Sequence, residues 1–322
     1  MSISGSCPLC GQQPHIPLDM GFVRCQSCNL ALRPEESMPL RQPFEYSREW
    51  LQWQEASVHH HRRARHAFRL LRRLPGGRRA LDVGCGTGIL VDLLARNGFE
   101  ACGLDSSPVL IDYNRQNKAG TYFLSTAGDL RTGDDQPYDL VIAAHLIEHL
   151  RDPWPFLNNV RSCLSSGGYL YIETPNLQSY SPHSIWRRRC GGMAGGYDHR
   201  ILYSPASLTV LLERAGFNVC RLETWTYSPL LLRHALGTAA RWVGRKDQPP
   251  DVPTGPTGLV RPSSTKRLLE AVLNSTVVDW ALRGFNRLSQ VGQRGVQLGV
   301  LARRREPHPA QVSFESPSVL TP

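Results

Sequence analysis

The run LDVGCGTG at residues 81–88 constrains the fold of this chain more than any other segment. A short apolar stretch leads into Gly84, Gly86 and Gly88, and a helix-forming run starts at position 89. Glycines at this spacing let the backbone turn sharply between a strand and a helix and lie close to a ligand. The N-terminus of that helix offers free N–H groups to an anion. The pattern predicts the first strand, loop and helix of a nucleoside-binding α/β sheet.

An acid stands at the end of the next apolar stretch, at Asp105. A carboxylate about one half-unit after the glycine loop can accept both hydroxyls of a ribose, so the spacing favours an adenosine compound. A dinucleotide site requires a third glycine, in G-x-G-x-x-G, at the position that Ile89 occupies here. An adenosine compound other than a dinucleotide is therefore expected. The alternative is a glycine-rich turn with a purely structural role.

Strands and helices alternate regularly after Asp105. The pattern predicts helices at 108–117 and 152–163, and strands at 122–124, 138–144 and 168–174. Continuous apolar strands between helices indicate a doubly wound parallel sheet. Ligands of such sheets bind beyond the carboxyl ends of the strands.

Asp82, directly before the glycines, completes a segment that resembles motif I of the class I S-adenosylmethionine-dependent methyltransferases. Asp105 resembles the ribose-binding acid of that family, and residues 295–303 resemble its antiparallel last strand. Residues 127–130 resemble its third motif, in which an acid and a backbone N–H approach the adenine. The resemblance implies a Rossmann-like sheet with S-adenosylmethionine as cofactor. The cofactor-binding residues that it implies are Asp82, Gly84, Gly86, Gly88, Asp105, Asp129, Leu130 and His145.

The predicted fourth strand is followed by His145, Glu148 and His149, which a loop-to-helix turn could bring together. A hydroxyl acceptor must lose its proton, and a histidine with a pKa near neutrality suits that task. His149 is the first catalytic candidate, and His145, Glu148 and His199 are the others. The alternative is that Glu148 and His149 cap the following helix.

The E-H-L sequence at 148–150 is similar to that of ubiquinone-pathway O-methyltransferases. Metal-assisted relatives carry E-x-x-E-H, with a glutamate where this chain has His145. Because of that difference, the sequence leaves open whether a divalent metal binds at the active site. The resemblance spans residues 59–227 and extends to a broad bacterial group that includes surface-glycan modifiers. It implies a small-molecule or glycan acceptor, with methyl transfer to a hydroxyl of a glycan, nucleotide-sugar or lipid-linked intermediate.

Two C-x-x-C pairs lie near the N-terminus, at Cys7, Cys10, Cys25 and Cys28, with fourteen residues between them. Four thiolates fill a tetrahedral site and leave no position for water, so this spacing predicts a structural zinc ion. About thirty residues could hardly fold without the metal. A pair of redox dithiols is the alternative.

The formal net charge is +10, and residues 59–74 form a basic helix with an apolar face. Such a helix indicates a binding surface for RNA, anionic lipid or a phosphorylated substrate, or else a solvated helix that leads into the first strand. An RNA methyltransferase that recognises its substrate through the zinc ribbon is the second hypothesis for function, and a non-catalytic scaffold is the third. Basic residues beside apolar faces in the C-terminal third also suggest contact with an anionic membrane.

The sequence divides into six parts. They are a zinc ribbon at 1–33, a linker at 34–58, the methyltransferase core at 59–227, a helical insertion at 228–292, the last core strand at 293–305 and a disordered tail at 306–322. A glycine- and arginine-rich stretch at 180–197 is interpreted as a mobile lid or an exposed basic loop. No membrane-spanning run or signal peptide is recognised, so a cytoplasmic protein is expected, with contact to the inner face of the membrane as a further expectation.

Overall fold

The computed structural model describes residues 7–13, 15–18, 21–38, 46–130, 136–180, 198–225, 293 and 295–306. Of the segments predicted above, 181–197 of the lid, the whole insertion at 228–292 and the tail from 307 lie outside the described residues. The described residues contain no helix that is long and apolar enough to cross a membrane.

The described strands form two sheets. The strands are β1 (His15–Pro17), β2 (Val23–Cys25), β3 (Ala31–Leu32), β4 (Arg79–Val83), β5 (Glu100–Asp105), β6 (Thr121–Leu124), β7 (Tyr138–Ala144), β8 (Leu164–Pro175), β9 (Ile201–Leu202), β10 (Phe217–Trp225) and β11 (Gln297–Arg304). The helices are α1 (Arg48–Ala56), α2 (Val58–Leu71), α3 (Ile89–Ala95), α4 (Pro108–Asn117), α5 (Pro153–Cys163) and α6 (Pro205–Arg214).

Seven strands form the large sheet, in the order β10-β11-β8-β7-β4-β5-β6. Strands β4 to β8 pair in parallel, and β11 is antiparallel to both of its neighbours, β8 and β10. The predicted doubly wound sheet with an antiparallel last strand is therefore confirmed. The chain runs outward from β4 through β5 and β6, then returns to the other side of β4 as β7. This reversal opens a crevice beyond the carboxyl end of β4, where ligands of such sheets bind.

Local signals explain where the core helices begin. The side chain of Ser107 accepts a hydrogen bond from the backbone of Leu110 at the start of α4, and Asp152 accepts one from Trp154 at the start of α5. Glu148 and His149 lie in a separate short 3₁₀ turn, Ile147–His149, before that helix. The alternative in which they cap α5 is wrong, because Asp152 holds that position.

The apolar face predicted for the basic helix is confirmed in α2. Ala64, Ala67, Phe68 and Leu71 are buried and belong to the apolar cluster that covers one face of the sheet. The segment at 34–58 was predicted as a linker, but it contains α1, whose first turn is capped by the side chain of Ser47. Sparse apolar residues in this helix, with Leu51 the buried one, concealed its helical pattern.

The second sheet is small and joins distant parts of the chain. Its order is β1-β2-β3-β9, so three strands come from the cysteine-rich segment and the fourth lies after residue 200. Ala31 pairs with Leu202, and Leu32 pairs with Ile201. The predicted ribbon is thus completed by a strand of the core.

Candidate active site

A cavity of about 250 Å³ opens beyond the carboxyl end of β4. The glycine loop forms one side, with α1 and α2 opposite and the ends of β7 and β8 beside them. The lining residues include Trp50, Gln54, His60, Arg63, Asp82, Gly84, Gly86, Thr87, His145 and Glu173. Burial raises the pKa of Asp82 to about 7, opposed by the charge of Arg63.

The three glycines of the loop all have positive φ, but they face different surroundings. A Cβ at Gly88 would lie 2.9 Å from the Tyr122 hydroxyl and 3.0 Å from Asn114. A Cβ at Gly86 would meet no protein atom within 4 Å. Asn114, fully buried, donates a hydrogen bond to the Gly86 carbonyl at 2.8 Å and fixes the loop. Gly88 therefore serves packing, whereas Gly86 presents open backbone to a ligand.

Alanine substitutions should separate these two roles. We expect Gly88→Ala to lower the free energy of unfolding by about 3 kcal/mol, because it adds overpacking to a backbone with φ of +68°. Gly86→Ala should cost about 1 kcal/mol of stability. It should nevertheless weaken S-adenosylmethionine binding at least tenfold, since its methyl group enters ligand space. Urea denaturation and calorimetric titration of both variants check this, and equal effects of the two changes on stability would contradict it.

Asp105 ends β5 with its carboxylate oriented by two backbone amides. Gly86 donates to its Oδ2 at 3.0 Å, and Ser107 donates to its Oδ1 at 2.9 Å. The carboxylate is thereby tied to the glycine loop and keeps lone pairs for further donors. This arrangement fits a ribose diol beside the loop.

A buried ionic network forms the far wall of the cavity. Arg63 Nε lies 2.8 Å from Glu173 Oε1, which lies 3.3 Å from His145 Nε2. The other ring nitrogen of His145 is 3.1 Å from Glu148 Oε1. Burial would raise the pKa of Glu173, but Arg63 and His145 outweigh it and lower that pKa to about 2.

His145 adopts φ of +58°, an uncommon backbone conformation for a residue other than glycine. Burial and Arg63 act to lower its pKa, but hydrogen bonds with Glu148 and Glu173 outweigh them and raise it. The two carboxylates beside the ring therefore favour its protonated form. His145 lines the cavity, as predicted for a cofactor-binding residue, but both of its nitrogens face acids, so it is poorly suited to act as a base.

His149 lies beyond Glu148, beside two residues of a distant loop. Its Nδ1 is 3.2 Å from a carboxylate oxygen of Asp198, and its ring contacts that of His199 edge-to-face, with centroids 4.8 Å apart. Burial acts to lower the pKa of His149, but Asp198 and Glu148 outweigh it and raise that pKa. Glu148 is fully buried and accepts a hydrogen bond from Thr174 at 3.0 Å. The predicted catalytic residues are brought together, and Asp198 joins them.

Glu148, His149 and His199 each offer one ligand atom, and these atoms lie within 4.8 Å of one another. One carboxylate and two imidazoles are a donor set that suits a first-row divalent cation. His145 is not part of this set. The set combines two residues of the 3₁₀ turn with His199, which lies 50 positions later in the sequence.

Other predicted cofactor contacts lie away from the cavity wall. Asp129 is exposed, and the Leu130 side chain is buried in the main apolar cluster, so a role of Leu130 would be limited to its backbone. Both follow β6, the strand beside β5. Their contact with adenine stays a prediction. Arg63 was missed as a cavity residue because its charge was attributed to the solvated face of α2.

The four predicted metal ligands converge. Sγ of Cys7 and Sγ of Cys28 are 3.5 Å apart, Cys10 and Cys25 are 3.6 Å apart, and all four sulfurs lie within 4.8 Å of one another. A tetrahedral zinc site with 2.3 Å bonds places its sulfurs about 3.8 Å apart. These two close approaches join different C-x-x-C pairs, an arrangement that suits a shared ion. The donor set fits zinc.

Comparison with known proteins agrees with this geometry. A family model described as a methyltransferase domain matches residues 58–222. The chain belongs to this methyltransferase family. The ubiquinone biosynthesis O-methyltransferase of Aliivibrio fischeri is 27% identical over 170 residues, which are 50% of this chain and 73% of that protein. That of Coxiella burnetii is 28% identical over 162 residues, which are 48% and 69% of the two chains.

The fold has counterparts among solved structures. An S-adenosylmethionine-dependent methyltransferase from Archaeoglobus fulgidus aligns with a TM-score of 0.51 at 20% identity, over 80% of this chain and 100% of that one. This likeness confirms the predicted fold class. The family match confirms the predicted enzyme class, a methyltransferase with S-adenosylmethionine as its cofactor. The hypothesis of a non-catalytic scaffold loses its support.

Proposed function

We propose that this methyltransferase methylates a hydroxyl group of a small-molecule acceptor, with His149 as the general base. The observation that carries the proposal is the grouping of His149, His199 and Asp198 next to Glu148, whose carboxylate lies 3.1 Å from the cavity residue His145. The name of the relatives in Aliivibrio and Coxiella, O-methyltransferase, supports the same chemistry. A glycan, nucleotide sugar or lipid-linked intermediate remains the acceptor class that we expect from the sequence.

The cofactor is expected to lie between the glycine loop and α2. Asp105 would accept the ribose hydroxyls, and Gly86 would leave its backbone open to the ligand. Arg63, at the opposite wall, offers a guanidinium to the carboxylate of the amino-acid moiety. When bound, S-adenosylmethionine supplies a methyl group on a cationic sulfur.

The chain's own residues must orient the acceptor and remove its proton. Asp198 faces Nδ1 of His149 and fixes the ring, so that Nε2 is the nitrogen that accepts the hydroxyl proton. Glu148 lies behind the ring, where its charge stabilises the imidazolium that forms. In-line attack of the acceptor oxygen on the methyl carbon then needs mainly proximity in a site with little water.

A divalent cation at Glu148, His149 and His199 is the second way to activate the hydroxyl. A cation held there lowers the pKa of a hydroxyl that it binds, and the three residues then act as ligands. Dialysis against a chelator that leaves the cysteine site loaded distinguishes the two. Transfer that survives supports His149 as the base, and transfer restored by Mn²⁺ or another first-row divalent cation supports the cation.

The proposal is tested by following a ¹³C-labelled methyl group from S-adenosylmethionine into panels of nucleotide sugars, lipid-linked sugars, phenols and total RNA. We expect S-adenosylhomocysteine to form with one hydroxyl-bearing class, and the label to give the carbon chemical shift of a methoxy group. A label on nitrogen or carbon of RNA would contradict the proposal and favour the hypothesis of an RNA methyltransferase.

His149→Asn should lower the rate of transfer to that acceptor at least 100-fold and change S-adenosylmethionine affinity less than threefold. His66→Asn is a matched control, because its ring is 30% exposed against 31% for His149 and also faces a carboxylate, at 2.6 Å. The control should retain the wild-type rate. Equal rates of methyl transfer in His149→Asn and His66→Asn would show that His149 does not take part in the reaction.

We propose in addition that the ribbon binds one zinc ion through its four cysteines. Metal analysis of the purified protein should give one zinc per chain. A zinc content near zero in protein prepared with zinc would contradict the assignment.

A further inference from the structure

The cysteine ribbon is packed against the core. Cys7, Leu9, Cys25 and Leu30 belong to the same apolar cluster as residues of α5, α6 and the large sheet. The indole of Trp154 donates a hydrogen bond to the Pro8 carbonyl at 3.3 Å. Arg214, at the end of α6, donates to the Leu9 carbonyl. These contacts hold the ribbon against α5 and α6 of the core.

The ribbon also supplies the hydrogen-bonding partner of β9. This strand has two residues, too few to hold an extended conformation alone. Its partner is β3, and the ladder continues where the N–H of Arg33 donates to the carbonyl of Arg200 at 2.8 Å. Residues 200–202 are therefore held as a strand by the ribbon.

Arg200 connects the ribbon to the 3₁₀ turn at 147–149. Its backbone N–H donates to the carbonyl of Glu148 at 2.7 Å, while its carbonyl accepts from Arg33. Its guanidinium lies 2.6 Å from the carboxylate of Glu35, just after β3. Asp198 and His199 directly precede Arg200, so the position of their side chains against His149 depends on where Arg200 is held.

We propose that the zinc-loaded ribbon is a positioning element of the active site, which holds residues 198–202 so that Asp198 and His199 face His149. This inference deepens the proposed function and rests on it for the catalytic role of His149. The cofactor cavity is independent of the ribbon, because its described lining comes from α1, α2, the start of α3, the glycine loop and the ends of β4, β7 and β8.

The physical reason is the dependence of the ribbon on its metal. Strands of two or three residues and a small apolar cluster cannot fold a ribbon without bound metal. Loss of zinc would release β3, and β9 would lose its partner. The seven-stranded sheet would keep all of its strand pairs.

The first experiment measures amide hydrogen exchange in the full-length protein, with zinc bound and after its removal by a chelator. We expect protection of residues 198–202 to fall at least tenfold together with that of residues 23–32, while that of β5 stays unchanged. S-adenosylmethionine affinity should change less than threefold. Exchange that increases in the ribbon alone, with 198–202 still protected, would overturn the proposal.

A pair of substitutions isolates the β3–β9 contact without touching the cysteines. Arg33→Pro removes the side chain and the N–H that bonds Arg200, whereas Arg33→Ala removes the side chain alone. Both variants should bind one zinc per chain. We expect residues 198–202 to exchange at least tenfold faster in the proline variant than in the alanine variant.

The same pair gives a spectroscopic signature of the active site. The measurement is the NMR spectrum of protein labelled at its histidine rings. The ring resonances of His149 and His199 should differ between Arg33→Pro and Arg33→Ala. Those of His66 should be the same in both variants. Identical spectra and exchange rates for the two variants would overturn the proposal. This result would not depend on whether His149 is the base, because neither readout involves methyl transfer.

Discussion

Asp105→Ala is expected to weaken S-adenosylmethionine binding about 100-fold, which corresponds to about 2.7 kcal/mol. The carboxylate would accept both ribose hydroxyls, and hydrogen bonds to a charged acceptor contribute about 1.5–3 kcal/mol each. The change also removes the acceptor that orients the N–H of Gly86. The glycine loop thus loses one of the hydrogen bonds that hold it, together with its ligand contact.

Calorimetric titration checks this prediction, with Asp112→Ala as a control. Asp112 is 68% exposed on the neighbouring helix α4, so its loss should leave the affinity unchanged. Asp105→Asn should lie between the wild type and Asp105→Ala, because the amide oxygen can still accept one hydrogen bond. Wild-type affinity in Asp105→Ala would show that the ribose binds elsewhere.

Glu173→Gln is expected to lower the free energy of unfolding by about 3 kcal/mol at pH 7. The carboxylate is 1% exposed and faces the partly buried side chains of Arg63 and His145, so the amide would remove the counter-charge that they share. Glu100→Gln is the control, since Glu100 also faces an arginine but is 67% exposed. That change should cost less than about 0.5 kcal/mol.

The loss of stability in Glu173→Gln should become smaller as the pH falls. The pKa of Glu173 is lowered to about 2 in the folded protein, below its unfolded value of roughly 4.3. The carboxylate therefore contributes stability above its unfolded pKa and loses that contribution as the pH falls through its folded pKa. The difference between variant and wild type in urea denaturation should be full at pH 6 and should shrink below about pH 4. A difference that grows as the pH falls would contradict this assignment.

The parts of the fold that sequence predicts well are those with local signals. Prolines and capping residues mark the starts of α4 and α5, and continuous apolar runs mark β5 and β7. The glycine loop and the four cysteines are recognised because their spacing is itself the functional requirement. Their geometry agrees with the residues named from sequence.

The remaining features depend on contacts between distant residues. Arg63 reaches Glu173 across 110 positions, and nothing in the composition of α2 distinguishes it from the exposed Arg65 and Arg69. The pairing of β3 with β9 joins two-residue strands that have no periodicity to detect. The place of Asp198 against His149 follows only from the fold, because the two residues are 49 positions apart.

The most direct test of the account is a crystal structure of the complex with S-adenosylhomocysteine. The account predicts ribose hydroxyls within hydrogen-bond distance of the Asp105 carboxylate, and a sulfur atom that faces the side of the cavity where Glu148, His149 and His199 lie. A nucleoside bound away from Asp105, or a sulfur directed away from that cluster, would contradict it.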